Sequence, residues 1–343
     1  MTVSAGTDVP TTQDRAASAI WRARLGRVAV QFGQLAAVLA AVSLLTFLIM
    51  QALPGSAVDN RLGPLPGFTP EEREQLRQSL IVSLGLDRPL PYQYVLWVVK
   101  ALQGDFGLTY QGLEVSELVG SRIWATVELG VASLLISTVL SLVVSMYAYR
   151  SRSRAAKGGI QSFVTVLFVM PAFWLGLLLV IVFAAQLRWL PSAGYTEFSD
   201  DPRKNLEFLV LPALTLALPQ MALFFRYLNA GLRDVSRLPF VTSCRARGLS
   251  SRQVDYRHVL PNAALPTITV VGLVAGSLLS GLVIVESVFA WPGMGMLLVD
   301  SVGRKDYNTV AAIVLITSVA YVVVAFLVDF VYQLVDPRTR RRA

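Results

Sequence analysis

Leu238-Pro-Phe-Val-Thr-Ser-Cys-Arg-Ala-Arg-Gly248 runs straight on into Leu249-Ser-Ser-Arg-Gln-Val-Asp-Tyr-Arg-His-Val-Leu-Pro261. Pro239 is suited to open a helix, and Gly248 to close it in the left-handed conformation that a residue without Cβ adopts readily. Ser250, with Gln253 three residues on, is a capping pair for a second helix. Pro261 marks the approach to the next apolar run. The pattern predicts helix, glycine corner, helix, proline: a short element held crosswise at a membrane surface. The segment joining the flanking apolar runs is about 35 residues long, although about six suffice for a connection. With its alternating small and basic residues, it is built for another chain to grip.

The flanking runs belong to a set of six. A bilayer-spanning helix needs about 20 mostly apolar residues, because the hydrocarbon core is about 30 Å thick. Val28–Leu53, Thr126–Tyr149, Ile160–Ala185, Phe208–Leu228, Leu265–Val285 and Val310–Val328 meet that requirement. Composition agrees: 54% of the 343 residues are hydrophobic, 15% are charged and mean hydropathy is +0.57, against about 25% charged in a soluble domain. Pro212 and Pro219 lie seven residues apart, on about one face of the fourth run. Inside a bundle, neighbouring helices satisfy the freed carbonyls, so a kink is expected there and not a break. The first run is longer than a signal-peptide core, follows 27 mostly polar residues and precedes no small-x-small site, so a retained span is expected.

Charge orients the spans. Residues 1–27, 150–159, 226–264 and 336–343 hold 19 Lys and Arg and five acids, a net +14. Loops 54–123, 186–207 and 288–308 hold 11 basic and 14 acidic residues, a net −3. Both termini are therefore expected in the cytoplasm. Anionic lipid at that face accounts for the overall +8, with no nucleic-acid partner. Glu128, Glu286 and Asp329 remain within spans or at their ends. One Cys and one His exclude a disulfide within the chain and a Cys/His zinc cluster. No catalytic residues, metal site or cofactor are expected, since H-E-x-x-H, G-x-S-x-G and P-loop patterns are all lacking.

The loop at 54–123 is too long for a turn. Thr69-Pro70-Glu71-Glu72 reads as N-cap, first-turn proline and capping-box Glu, with a short helix through Leu80. Pro89–Leu102 reads as a second amphipathic piece, its Tyr94, Val95, Trp97, Val98 and Leu102 available to the bundle or the membrane surface. The loop is either a lid over the outer mouth or a platform for a substrate-delivering protein.

Gly248, nine residues, then His258-Val-Leu260-Pro261 resembles the "EAA" signature of permease subunits in bacterial ABC importers. Thr242, Ser243 and Cys244 replace the E-A-A residues, and His258 replaces an Ile. Ser243-Cys-Arg-Ala-Arg-Gly-Leu249 is similar to the peptide-importer version. Leu53-Pro-Gly55, Leu84-Gly-Leu-Asp-Arg-Pro-Leu90, Gly104-Asp-Phe-Gly107, Thr126-Val-Glu-Leu129, Pro171-Ala-Phe-Trp-Leu175, Leu190-Pro-Ser-Ala-Gly194, Leu211-Pro-Ala-Leu-Thr215 and Glu286-Ser-Val-Phe-Ala-Trp-Pro-Gly-Met-Gly295 follow in that branch's order. Ser56-Ala57 departs from its usual Asp-Pro. The resemblance covers about residues 28–336 and is to the first permease of dipeptide, oligopeptide or nickel importers.

That resemblance implies an all-α membrane protein with six transmembrane helices of the type I ABC importer (MetI-like) permease fold. It implies a cytoplasmic tail at 1–27, a first helix at 28–53, an extracytoplasmic loop at 54–123, a five-helix core at 124–336 with its coupling loop at 229–264, and a basic tail at 337–343. It places the chain in the bacterial inner membrane. The implied partners are a second homologous permease, two cytoplasmic ABC ATPases, an extracytoplasmic substrate-binding lipoprotein, lipid, and a peptide or related small solute. Ser243, Cys244, Arg245, Ala246, Arg247, Gly248, Leu249, Leu260 and Pro261 fall on the element that couples to the ATPase. Arg245 and Arg247 then meet acids of the ATPase, or else anchor in lipid. His258 and Cys244 fit packing roles beside a pH switch or redox role. Glu128 and Glu286 line the outer mouth or make contacts within the bundle, and Trp291-Pro292-Gly293-Met294-Gly295 looks like a hinge or re-entrant turn at the extracellular gate. The rival readings are a stand-alone secondary transporter, disfavoured by the absence of a visible repeat and the few buried charges, and a non-transporting membrane scaffold.

Overall fold

The computed structural model describes residues 33–52, 69–84 and 87–335, all helices and turns apart from one isolated bridge between Leu108 and Glu114. The tails at 1–27 and 337–343, the start of the first span and the Leu53–Ala57 stretch lie outside the described residues. Helix α1 (Gly33–Ala52) is followed by α2 (Pro70–Leu84) and α3 (Leu90–Leu102). The Thr69 N–H donates to Glu72 Oε2 (2.9 Å) and the Glu72 N–H to Thr69 Oγ1 (3.3 Å), so the capping box forms. Its helix runs on to Leu84, past the expected end at Leu80. On α3, Tyr94 and Trp97 turn to the bundle against Phe47 of α1, with ring centroids 5.5 and 6.0 Å apart, while Val95 and Leu102 stay exposed.

Beyond these lie α4 (Val115–Arg150), α5 (Arg154–Val169), α6 (Ala172–Leu179), α7 (Pro202–Ser236), α8 (Pro239–Ala246), α9 (Ser251–Val254), α10 (Leu260–Phe289), α11 (Met294–Gly303) and α12 (Tyr307–Val335). Helix α7 is the hub, with α4, α10, α5 and α6 packed around it. It stays unbroken through Pro212 and Pro219. Pro212 and its neighbours Leu211 and Ala213 are fully buried among those helices, the setting in which prolines are tolerated. The buried Phe224, Phe225, Leu228 and Leu232 carry its apolar contacts toward its C-terminal end.

The third run, Ile160–Ala185, is bent at Met170-Pro171, where the helical stretches 154–169 and 172–186 meet at 111°. Pro171 offers no N–H and forces Met170 into an extended conformation (φ −70°, ψ 127°), so the first helix must stop there. Five described helices are long and apolar enough to cross a membrane. The bent α5–α6 pair and the pair 281–289 with 294–303, bent by 83°, also meet that measure when each is taken together. The 104–114 turn is clipped to the start of α12. Asn308 Nδ2 donates to the Leu108 carbonyl (2.9 Å) and the Tyr110 N–H to Asp306 Oδ2 (3.2 Å).

Candidate functional site

Pro239 opens α8 at its first position, and a glycine corner follows, as the spacing predicts. Gly248 has φ +83°, and its N–H closes the turn onto Arg245 O (3.0 Å). The Ser250–Gln253 capping box forms in both directions. Pro261 stands at the approach to the next long helix. The chain runs from Ser251 through a widened turn at Asp255–Val259 directly into α10. Pro261 falls in the first turn of α10, directly after the widened turn.

Val241, Val254 and Val259 are fully buried with Met146, Leu228, Leu232 and Ala263, and Cys244, Leu249 and Leu260 pack against that cluster. Ser243, Arg245, Ala246, Arg247 and Gly248 are exposed on the other side of α8. His258 is half-buried, and its carbonyl accepts from Asn262 Nδ2 at 2.7 Å. The frame beneath is tight. A Cβ on Gly231 would sit 2.5 Å from the Ala263 carbonyl oxygen, so the end of α7 and the start of α10 touch backbone to backbone.

At the opposite end Glu286, Trp291, Pro292 and Gly293 come together. Helix α10 ends at Ala290 in the left-handed conformation (φ 49°), and the chain folds back into α11. Trp291 is fully buried and donates from Nε1 to Ala125 O (2.8 Å). Glu286 is also fully buried: its Oε1 accepts from Thr126 Oγ1 (2.8 Å) and its Oε2 from the Met296 N–H (2.9 Å). Thr126 Oγ1 in turn accepts the Met294 N–H at 2.8 Å. Gly293 and Gly295 lie directly on the carboxyl, leaving no room for a side chain at either position. Thr126 is the partner that sequence reasoning missed, because 160 residues separate it from Glu286.

Glu128 stands apart from this knot and is only half-buried, with Tyr195 Oη 3.5 Å from its Oε2. Tyr195 meets Trp291 edge to face, with centroids 4.7 Å apart. Burial first, and then the neighbouring Glu128 and Glu197 carboxyls, push the Tyr195 phenol up to about 12. The folded state thus holds this proton more tightly than the unfolded chain does. Its contribution is intact below pH 10, the ordinary phenol value, and is lost as pH rises toward about 12. An ultraviolet titration of the native protein minus Tyr195→Phe should therefore show a phenolate step only near 12. A step near 10 in that difference would mean an open hydroxyl. Among the described residues no three His, Cys, Asp or Glu side chains converge to hold a metal ion.

Residues 137–341 match the family model described as the binding-protein-dependent transport system inner membrane component. The chain belongs to that family. It is 36% identical over 313 residues to the oligopeptide transport system permease protein AppB of Bacillus subtilis, covering 88% of this chain and 95% of that one. It is 32% identical over 344 residues to the di/tripeptide transport system permease protein DppB of Pseudomonas aeruginosa, covering 93% and 99%. Inward-facing structures of the MetNI methionine ABC transporter share its fold, with a TM-score of 0.52 at 15% identity over 64% of this chain and 96% of that one. The protein is thus a multi-pass ABC importer permease subunit of the inner membrane. The secondary-transporter and scaffold readings fall away.

Proposed function

We propose that this permease forms half of a pathway for peptides, or a related small solute, and that separate subunits hydrolyse the ATP that drives it. Six crossings fit this reading: α1, α4, the bent α5–α6 pair, α7, α9 with α10, and α12, both termini lying in the cytoplasm. The extracytoplasmic loop then follows the first crossing. One observation carries the proposal. Helix α8 is pinned along one side to the ends of α4, α7 and α10 and exposed along the other. A stiff element fixed to several spans is what converts movement of a docked partner into rigid-body movement of the bundle. Ser243, Arg245, Ala246, Arg247 and Gly248 offer the contact face to an ATPase. Cys244 and Leu249 anchor it, and Leu260-Pro261 set the angle of α10.

The Trp291-Pro292-Gly293 turn is the outer gate, Glu286 is its internal support, and Glu128 beside Tyr195 is the acid left at the mouth. A second homologous permease completes the pathway, two ATPases dock below, and a substrate-binding lipoprotein delivers from outside. The peptide class is supported by the transport systems in which the two relatives are named. Reconstitution of the chain with these partners in liposomes tests the whole reading. ATP hydrolysis should rise severalfold when peptide-loaded binding protein is enclosed with the outer face. Uptake that continues without ATP and stops when the proton gradient is dissipated would overturn it.

A further inference from the structure

The inner loop is held to α4 by a charge pair that the loop's own sequence does not reveal. Asp255 sits in the widened turn between α9 and α10 and is 7% exposed. Its Oδ2 lies 2.8 Å from Arg150 Nη1, at the last turn of α4, and its Oδ1 lies 3.5 Å from the Tyr149 hydroxyl. The Arg150 guanidinium also stands 5.7 Å from the ring of Tyr256, which Arg252 approaches at 6.0 Å. Beneath the pair lies the apolar cluster into which Val241 of α8, Val254 of α9 and Met146 of α4 all insert.

This placement is selective. Helix α8 is covalently continuous with α7, and the turn is continuous with α10, so both of those spans follow the loop through the chain itself. Helix α4 has no such connection. Its inner end leads instead to α5 through Ser151–Ser153. At the loop, α4 is held by Met146 and Tyr149 in the apolar cluster and by one charged contact, Arg150 to Asp255. A polar tie of this kind has geometric direction, which an apolar contact lacks, and a buried acid without its partner is strongly disfavoured. Such a tie permits two elements to move together while opposing sliding between them.

We propose that the Arg150–Asp255 pair is a positioning latch that makes α4 follow the coupling loop during the transport cycle. The latch rests on the coupling role proposed above for α8. It touches neither substrate nor nucleotide. Its loss should therefore separate transport from ATP hydrolysis while leaving the hydrolysis itself in place.

The test uses the complete complex in proteoliposomes, with Asp255→Asn, Arg150→Gln and the exchanged pair Arg150→Asp with Asp255→Arg. The readout is substrate transported per ATP hydrolysed, alongside the basal ATPase rate. Each neutralised variant should assemble, hydrolyse at the native basal rate and lose about tenfold in transport per ATP, the scale of an ordinary coupling free energy. The exchanged pair should recover most of that loss. A native ratio in either neutralised variant overturns the latch. So does an equal fall in transport and basal hydrolysis, or failure of both neutralised chains to assemble, because a pair that only holds the fold gives those results. A Gly248→Val complex run in parallel separates the two claims. A native ratio there overturns the coupling role of α8, whereas an uncoupled Gly248→Val complex beside native latch variants overturns the latch alone.

Discussion

Replacing Glu286 with leucine should destabilise the permease by roughly 2–6 kcal/mol, since two buried donors lose their acceptor at about 1–3 kcal/mol each. Those donors are the Thr126 hydroxyl and the Met296 N–H. The carboxyl is fully buried, with Gly293 and Gly295 lying directly against it. Glu286→Gln keeps one carbonyl oxygen in place of two acceptors and should lose about half as much. The Thr126→Val and Glu286→Leu changes share one network, so together they should cost less than the sum of their separate effects. Thermal unfolding of the purified permease in detergent measures all four. The experiment also decides between the two roles that the sequence leaves open for this residue. A pathway carboxyl would give Glu286→Leu native stability and a transport defect confined to cationic solutes. A support inside the turn gives early melting and loss of transport for every solute.

The geometry that makes this so is only partly visible in the chain. The Trp291-Pro292-Gly293 sequence announces a turn, because Pro and Gly interrupt an otherwise apolar run. What the turn closes upon is invisible, since Thr126 belongs to another span. The same limit explains Pro171. It stands inside a continuous apolar run, and hydropathy counts apolar residues without recording that a proline forces its predecessor to extend. Helix α4 starts at Val115, 11 residues before the apolar run suggests, because its first turns are too polar to register as a span. Nor does hydropathy rank the helices by burial: lipid-facing and protein-facing positions are both apolar, so amphipathicity fades as a signal. Helix α7, with its two prolines, is the most enclosed of the spans, 61% buried over its most apolar window against 17% for α12. The 238–261 segment was far more legible. Its exposed turns obey local rules of capping and left-handed glycine, and Pro239, Gly248 and the Ser250–Gln253 box all form where those rules put them. Arg150 and Asp255 escaped notice for the opposite reason, as a contact across 105 residues with no local signature.

Gly248→Val should reduce transport by roughly tenfold or more, on the scale of a lost coupling free energy, while the permease still inserts and folds. The corner has φ +83°, and a Cβ built there meets nothing within 4 Å. Crowding within the chain therefore plays no part, and the whole effect lies in the backbone. A left-handed conformation costs an ordinary L-residue about 1–2 kcal/mol, and a β-branched side chain stands at the unfavourable end. The corner can relieve that strain only by opening, which swings α8 away from α9 and breaks the closing bonds from the Gly248 and Leu249 N–H groups. The cluster around Val241 and Val254 holds both flanks, so global stability should change by no more than the corner strain. Gly248→Asn is the control, because asparagine tolerates the left-handed region better than other side chains do. Transport assayed against ATP hydrolysis in the assembled complex should rank native, Asn, then Val. Equal defects in Asn and Val would move the cause from the backbone to a side chain colliding with the docked partner. Native transport in the Val variant would mean that the corner does not hold α8 for its work.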